Sequence, residues 1–173
     1  LGHYIAYFNK KVWYLYDTRQ DTTYDLTSRI NFNFYQEDWD IPSEPQSYGI
    51  GGWLKHDDAI IIYDRYDVWK IFTSRGNAAL NLTAADGRIN DVTFRIRNLD
   101  RDKKWFISQE YVYLSGFNNK TKETGIYNCN FEILGSVKIL NEPKRFNLIT
   151  KAKNADKILY TRESYDEFPD LWP

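Results

Sequence analysis

The sequence predicts an all-β protein, an antiparallel β-sandwich of jelly-roll or lectin-like kind with about ten strands. A closed β-barrel is the alternative architecture. Three observations carry this. The clearest patterned segments alternate apolar and polar residues with period two. Turn-forming residues interrupt the chain about every 8–12 residues. No window of about 12 residues has the 3.6-residue period of an amphipathic helix.

Taken in order, runs 3–8 and 12–17 read as strands separated by the turn Asn9-Lys10-Lys11. Ile30, Phe32 and Phe34 alternate with Asn31, Asn33 and Tyr35 and predict a half-buried strand. Residues 36–49 hold two prolines and four acids around Trp39, which predicts a long loop. Runs 50–55, 59–63, 68–73 and 78–83 follow as strands, with Ser74-Arg75-Gly76-Asn77 as a turn. Ala84-Ala85-Asp86-Gly87 contains an Asp-Gly pair, a strong hairpin signal because both residues tolerate positive φ. Val92, Phe94 and Ile96 alternate with Thr93, Arg95 and Arg97, and Tyr127, Cys129, Phe131 and Ile133 with Asn128, Asn130 and Glu132. Further strands are expected at 104–114, 136–140, 145–150 and 157–161, a polar loop at Asn118–Thr121, and one short helical turn near 151–157. One domain over 1–162 would be followed by an acidic, aromatic tail, 163–173, able to cover a sheet edge or insert into a neighbouring copy.

Composition narrows the function. The 173 residues carry 23 Lys+Arg and 24 Asp+Glu, a formal charge of −1, so a basic nucleic-acid binder is disfavoured. The cluster Lys138, Lys144, Arg145, Lys151, Lys153 and Lys157 reads as a solvated face. No apolar run approaches the ~18 residues of a spanning helix. A single cysteine, Cys129, excludes an internal disulfide and a multi-cysteine zinc site, and is read as a buried hydrophobe. Methionine is absent and the chain starts at Leu1, which points to a processed or partial chain. Asn81-Leu82-Thr83 and Asn119-Lys120-Thr121 are N-glycosylation sequons. Together with the processed start, they favour a secreted or extracellular protein.

The candidate chemistry is sparse. Only two histidines occur, His3 and His56, so acid–base and metal chemistry have few carriers. Asn98, Asp100 and Asp102 have the alternate spacing of calcium ligands, but the positions where an EF-hand needs Gly and an acid hold Lys103 and Gln109. A solvated turn is the preferred reading there, and calcium the one ion the spacing would serve. Asp38 and Asp40 beside Trp39 form a similar pair. His56-Asp57-Asp58 reads as a polar hairpin turn, because adjacent strand residues point to opposite faces. No phosphate-cradling Gly-rich loop or nucleophile elbow is present.

Gly2-His3-Tyr4-Ile5-Ala6-Tyr7, followed by Trp13-Tyr14-Leu15-Tyr16-Asp17, resembles the histidine box of ubiquitin-specific cysteine proteases. The resemblance spans about a tenth of the chain and implies His3 as a general base beside a thiolate. In that family the nucleophile precedes the box, whereas the one thiol here follows it.

Aromatics are the largest surplus: Tyr 14, Phe 10 and Trp 6. Trp39, Tyr48, Trp53, Tyr66 and Trp69 fall in or beside loops with Asp, Asn and Arg, a combination that suits glycans or a protein surface. The expected function is therefore a non-catalytic binding module. One alternative is a self-assembling, coat-like subunit using Phe168, Leu171 and Trp172. A hydrolase using His3 is the other.

Overall fold

The computed structural model describes residues 2–100, 102–140, 142–155 and 157–173. It is almost entirely β, with fourteen strands in chain order: β1 (Tyr4–Asn9), β2 (Val12–Asp17), β3 (Thr22–Asp25), β4 (Ile50–Trp53), β5 (Ala59–Tyr63), β6 (Val68–Phe72), β7 (Leu80–Asn81), β8 (Val92–Ile96), β9 (Tyr111–Asn118), β10 (Thr124–Asn130), β11 (Ser136–Leu140), β12 (Arg145–Lys151), β13 (Ile158–Ser164) and β14 (Glu167–Trp172). Among the described residues a single 3-10 turn, Lys55–Asp57, precedes β5, and a short α-helix, α1 (Asp86–Asn90), lies between β7 and β8. The strands form four open antiparallel sheets, β1-β2-β3, β4-β5-β6-β7, β11-β10-β9-β8 and β12-β13-β14. None closes into a barrel. Neighbours in each sheet are consecutive in sequence, so every sheet is a meander; a jelly roll would need strands to cross between sheets.

Burial explains the layering. Every residue of β5 is buried, on both faces of its sheet. Ile61, Tyr63 and Val68 pack with Val92, Phe94, Leu114 and Cys129 of the third sheet. Ile60, Ile62, Trp69 and Ile71 pack the other way, against Trp13 and Phe34, with Ala6 and Phe8 at the margin. The second sheet is thus a middle layer between the first and the third. A smaller cluster of Ile126, Phe146 and Leu148 attaches the fourth sheet to the back of the third. The apolar run Ala59–Tyr63 is the sequence of a strand with no wet face.

Turn chemistry sets the registers. Lys10 and Lys11 both have positive φ (46° and 69°), closing a two-residue hairpin with Asn9 opposite Val12. His56 and Asp57 likewise have positive φ in the turn before β5. Asn118 Oδ1 accepts the N–H groups of Lys120 and Thr121, at 2.9 Å each, and shapes the β9–β10 connection.

Several expectations are corrected. Residues 30–35 form no strand beyond an isolated bridge of Tyr35 to Ser47. Local turns instead bond Ile30 N to Thr27 O and Phe32 N to Ile30 O, and Phe32 and Phe34 both lie against Trp69. The alternation therefore reports side-chain packing on the middle sheet, not strand pairing. Ala84-Ala85-Asp86-Gly87 makes no hairpin: Ala84 and Ala85 take the positive φ and Asp86 starts α1. The strand expected over 104–114 starts only at Tyr111. Of the helical turn expected near 151–157, Lys151 ends β12 and residues 153–155 are bends, and Asp156 lies outside the described residues. The boundary expected after residue 162 falls inside β13, and the acidic tail folds back as β14.

Double-faced burial makes a specific prediction. Ile60→Ala and Ile61→Ala face opposite interfaces, and each is expected to lower stability by about 2–5 kcal/mol. Ile5→Ala, at an exposed position, is expected to stay within about 0.5 kcal/mol. Urea unfolding midpoints of the three variants check this.

Candidate functional site

The aromatic residues singled out in the sequence separate in space. Trp69 is 5% exposed and packs on Phe32 and Phe34, with ring centroids 4.9 and 5.7 Å away. Trp53 flanks the same inner cluster. The Trp39 indole N–H donates to Ser43 O at 2.9 Å and holds its own loop. Tyr48 and Tyr66 enter an arginine stack. Arg65 binds Asp38 through both guanidinium nitrogens at 3.0 Å and lies over Tyr66. Arg88 binds the buried Asp64 carboxylate at 3.0 Å, near the rings of Phe32 and Tyr66. Arg95 covers Tyr63 and Tyr48. These guanidiniums tie the 30s loop and the β5–β6 turn together, which consumes the ring faces a ligand would use.

The other candidates are placed as follows. Asn98 Oδ1 accepts Asp100 N (3.2 Å) and Asp100 Oδ1 accepts Asp102 N (3.0 Å), so their oxygens shape successive turns. Among the described residues, no three His, Cys, Asp or Glu side chains are placed to hold a metal ion. Asn119 Nδ2 donates to Asp91 O at 2.9 Å, and Asn81 Oδ1 accepts from Thr83, itself fully buried. Cys129 lies inside the core, and burial alone pushes its thiol up to about 12. A thiol held there is not a thiolate at neutral pH. His3 Nε2 instead meets Arg19 Nη2 at 2.6 Å, in the first sheet. No helix among the described residues is long and apolar enough to cross a membrane.

A different constellation forms a cleft of about 420 Å³ between α1 and one end of the third sheet. Gly116 of β9 and Gly125 of β10 face each other as a cross-strand pair. The Tyr127 ring lies across this pair, so close that a Cβ on either glycine would collide with it. The two missing side chains make the floor, and the aromatic ring covers it. Phe94 meets the ring edge-on, at 4.9 Å. The rim is polar: α1 supplies Asp86 and Asn90, β9 supplies Asn118, the β9–β10 connection Glu123, and β11 Ser136 and Lys138. The Lys138 ammonium is 5.6 Å from the Tyr127 ring centroid. Burial, then the carboxylates of Asp86 and Glu123, raise the Tyr127 hydroxyl above the ordinary tyrosine value. It therefore stays a neutral donor and acceptor at physiological pH.

The α1 wall is fixed from below. Asp64 Oδ1 accepts the N–H groups of Tyr66 (2.7 Å) and Asp67 (2.5 Å), closing the β5–β6 turn. Asp67 Oδ1 then accepts Thr83 Oγ1 at 2.7 Å and Gly87 N, inside α1, at 3.0 Å. Gly87 approaches so closely that an added Cβ would sit 2.7 Å from both Asp67 Oδ1 and Val92 O. Only glycine fits, which is the role of the Asp-Gly pair that looked like a hairpin. Asp86 Oδ2 in turn accepts Ser136 Oγ at 3.1 Å and joins α1 to β11. No single motif marks this site; its traces in the sequence are glycines inside patterned strands and an Asp-Gly that precedes no hairpin. No protein-family model and no curated protein matches the chain.

Asp67 is fully buried and its Oδ2 has no partner. Burial, with the nearby Asp64, raises its carboxyl above the ordinary value despite the hydrogen bonds from Thr83 and Gly87. A raised carboxyl contributes its full stability below the unfolded value near 4, and that contribution is lost as pH rises through the folded value. Asp67→Asn keeps an acceptor and removes the charge. The variant is expected to lose less stability than the parent between pH 4 and pH 7. Denaturation midpoints at both pH values test this; parallel slopes would show that Asp67 is ionised throughout.

Proposed function

We propose that the protein is a non-catalytic binding module whose Tyr127 cleft takes a carbohydrate. One observation carries the reading: a half-buried aromatic ring laid over a Gly–Gly pair, inside a cleft edged by carboxylates, amides, a hydroxyl and an ammonium. An aromatic plane suits the C–H face of a pyranose, and the polar rim suits its hydroxyls. The cleft volume is within the range for small ligands. This keeps the glycan reading of the sequence but moves its centre from Trp39, Tyr48, Trp53, Tyr66 and Trp69 to a tyrosine on a strand.

A glycan array followed by titration calorimetry on the best hit tests it. Tyr127→Ala and Glu123→Gln are each expected to weaken binding about tenfold or more, the loss of one good contact. Trp39→Ala is expected to leave affinity unchanged. Loss with Trp39→Ala and none with Tyr127→Ala would put the site on the long loop instead. No binding to any glycan would remove the reading.

Self-association is the second reading, favoured by β14. Among the described residues this strand pairs with β13 alone and leaves its other edge open. Phe168 is 90% and Leu171 65% exposed, while Trp172 is covered by the Arg162 guanidinium at 4.1 Å. Open strands carrying apolar side chains are templates for pairing. If β14 assembles the protein, light scattering on the wild type gives a multiple of 20.6 kDa, and the double variant Phe168→Ser, Leu171→Ser returns it to one chain. A wild-type monomer at working concentration would end this reading.

A further inference from the structure

A second cleft, sharing no residue with the first, opens between the end of the first sheet and the loop after β6. Its volume is about 660 Å³. The wall is apolar, from Leu26, Trp69 and Ile71, and the rim carries two guanidiniums, Arg29 and Arg75. Arg75 lies 4.3 Å above the Tyr24 ring. The ion-paired arginines among the described residues are Arg65, Arg88, Arg145 and Arg162, so neither rim arginine has a carboxylate at pairing distance. Asp25 shares the rim: its Oδ1 is taken by the N–H groups of Thr27 (3.0 Å) and Ser28 (2.9 Å), and the Arg29 guanidinium helps to lower its carboxyl from beyond ion-pair distance.

One wall residue, Trp69, also carries an unspent donor inside the core. Trp69 is 95% buried by its 5% exposure, and its indole Nε1 has no hydrogen-bond partner. Buried N–H groups are nearly always paired, so an orphan needs an explanation. Two guanidiniums without a carboxylate at ion-pair distance and an apolar wall converge on one chemistry. Arginine forks match carboxylates, and the wall accepts hydrocarbon.

We propose that this cleft binds a small amphipathic carboxylate. Arg29 and Arg75 hold the acid group, and the body of the ligand lies against Leu26 and Ile71. Trp69 lies in the same wall, so its indole signal reports an occupied cleft.

The test uses the full chain and the indole N–H signals in a two-dimensional nitrogen–proton NMR spectrum. Trp69→Phe identifies the Trp69 signal by its disappearance. Titration with 4-phenylbutyrate is expected to shift that signal saturably. Arg29→Gln with Arg75→Gln, both at exposed positions, is expected to weaken the response about tenfold or more, as is replacement of the ligand by neutral 4-phenylbutyramide. Acetate is expected to bind at least about tenfold more weakly, because it lacks the apolar body. An unmoved Trp69 signal overturns the proposal. Equal affinity for the amide removes anion recognition, and equal affinity for acetate removes the apolar wall; either result also overturns it.

Discussion

The structure depends on one strand that has no wet face. Ala59–Tyr63 is buried along its whole length, and the sheet it centres is the layer on which both major cores are built. Alternate residues of the strand serve opposite cores, Ile61 and Tyr63 one way and Ile60 and Ile62 the other. Sheets of three or four strands are small to stand alone. Stacking them puts apolar area on both sides of the middle layer, so the burial of each outer sheet reinforces the other. The irregular 30s segment is held by the same layer, because Phe32 and Phe34 find their places on Trp69.

Buried charge then fixes the details of the apolar stack. Asp64 and Asp67 are 0% exposed in one tight turn at the edge of the middle sheet. Asp64 holds the turn and the Arg88 guanidinium; Asp67 reaches Thr83 and the backbone of α1. Buried carboxylates are costly unless their oxygens are occupied. Three of their four oxygens are occupied, by backbone N–H groups, the Thr83 hydroxyl and the Arg88 guanidinium, which turns the cost into positional precision. The consequence reaches the Tyr127 cleft, since α1 forms one wall and Asp86 ties that wall to Ser136. The two clefts are built differently. One is a polar rim around a ring on glycine; the other is an apolar wall with unpaired cations.

Much of the architecture was legible in the chain. Val92–Ile96 became a strand with the expected inward face, and Asn9-Lys10-Lys11 became a hairpin turn; the alternation Tyr127–Ile133 became a strand only as far as Asn130, which is buried, and Ile133 beyond it is exposed. Cys129 was readable as a buried hydrophobe because its neighbours at alternate positions are large and apolar. The errors have one physical source. Ile30–Phe34 alternates because two rings must reach one buried tryptophan, and Asp86-Gly87 combines an acid with a glycine because the backbone passes close to Asp67. Local pattern records both demands without saying whether strand pairing or tertiary contact imposes them.

By itself the sequence determined the all-β class, the order of most strands and several of the turns between them, because these follow from side-chain periodicity and backbone preference within a few residues. It also determined that the chain has one thiol and two histidines, and so few carriers of catalytic chemistry. Only the tertiary structure decided which aromatics remain available. Trp69 is buried by residues that precede it by more than thirty positions, whereas Tyr127 is left at a cleft by two glycines paired across strands. Exposure belongs to pairs of distant segments, and no local pattern carries it.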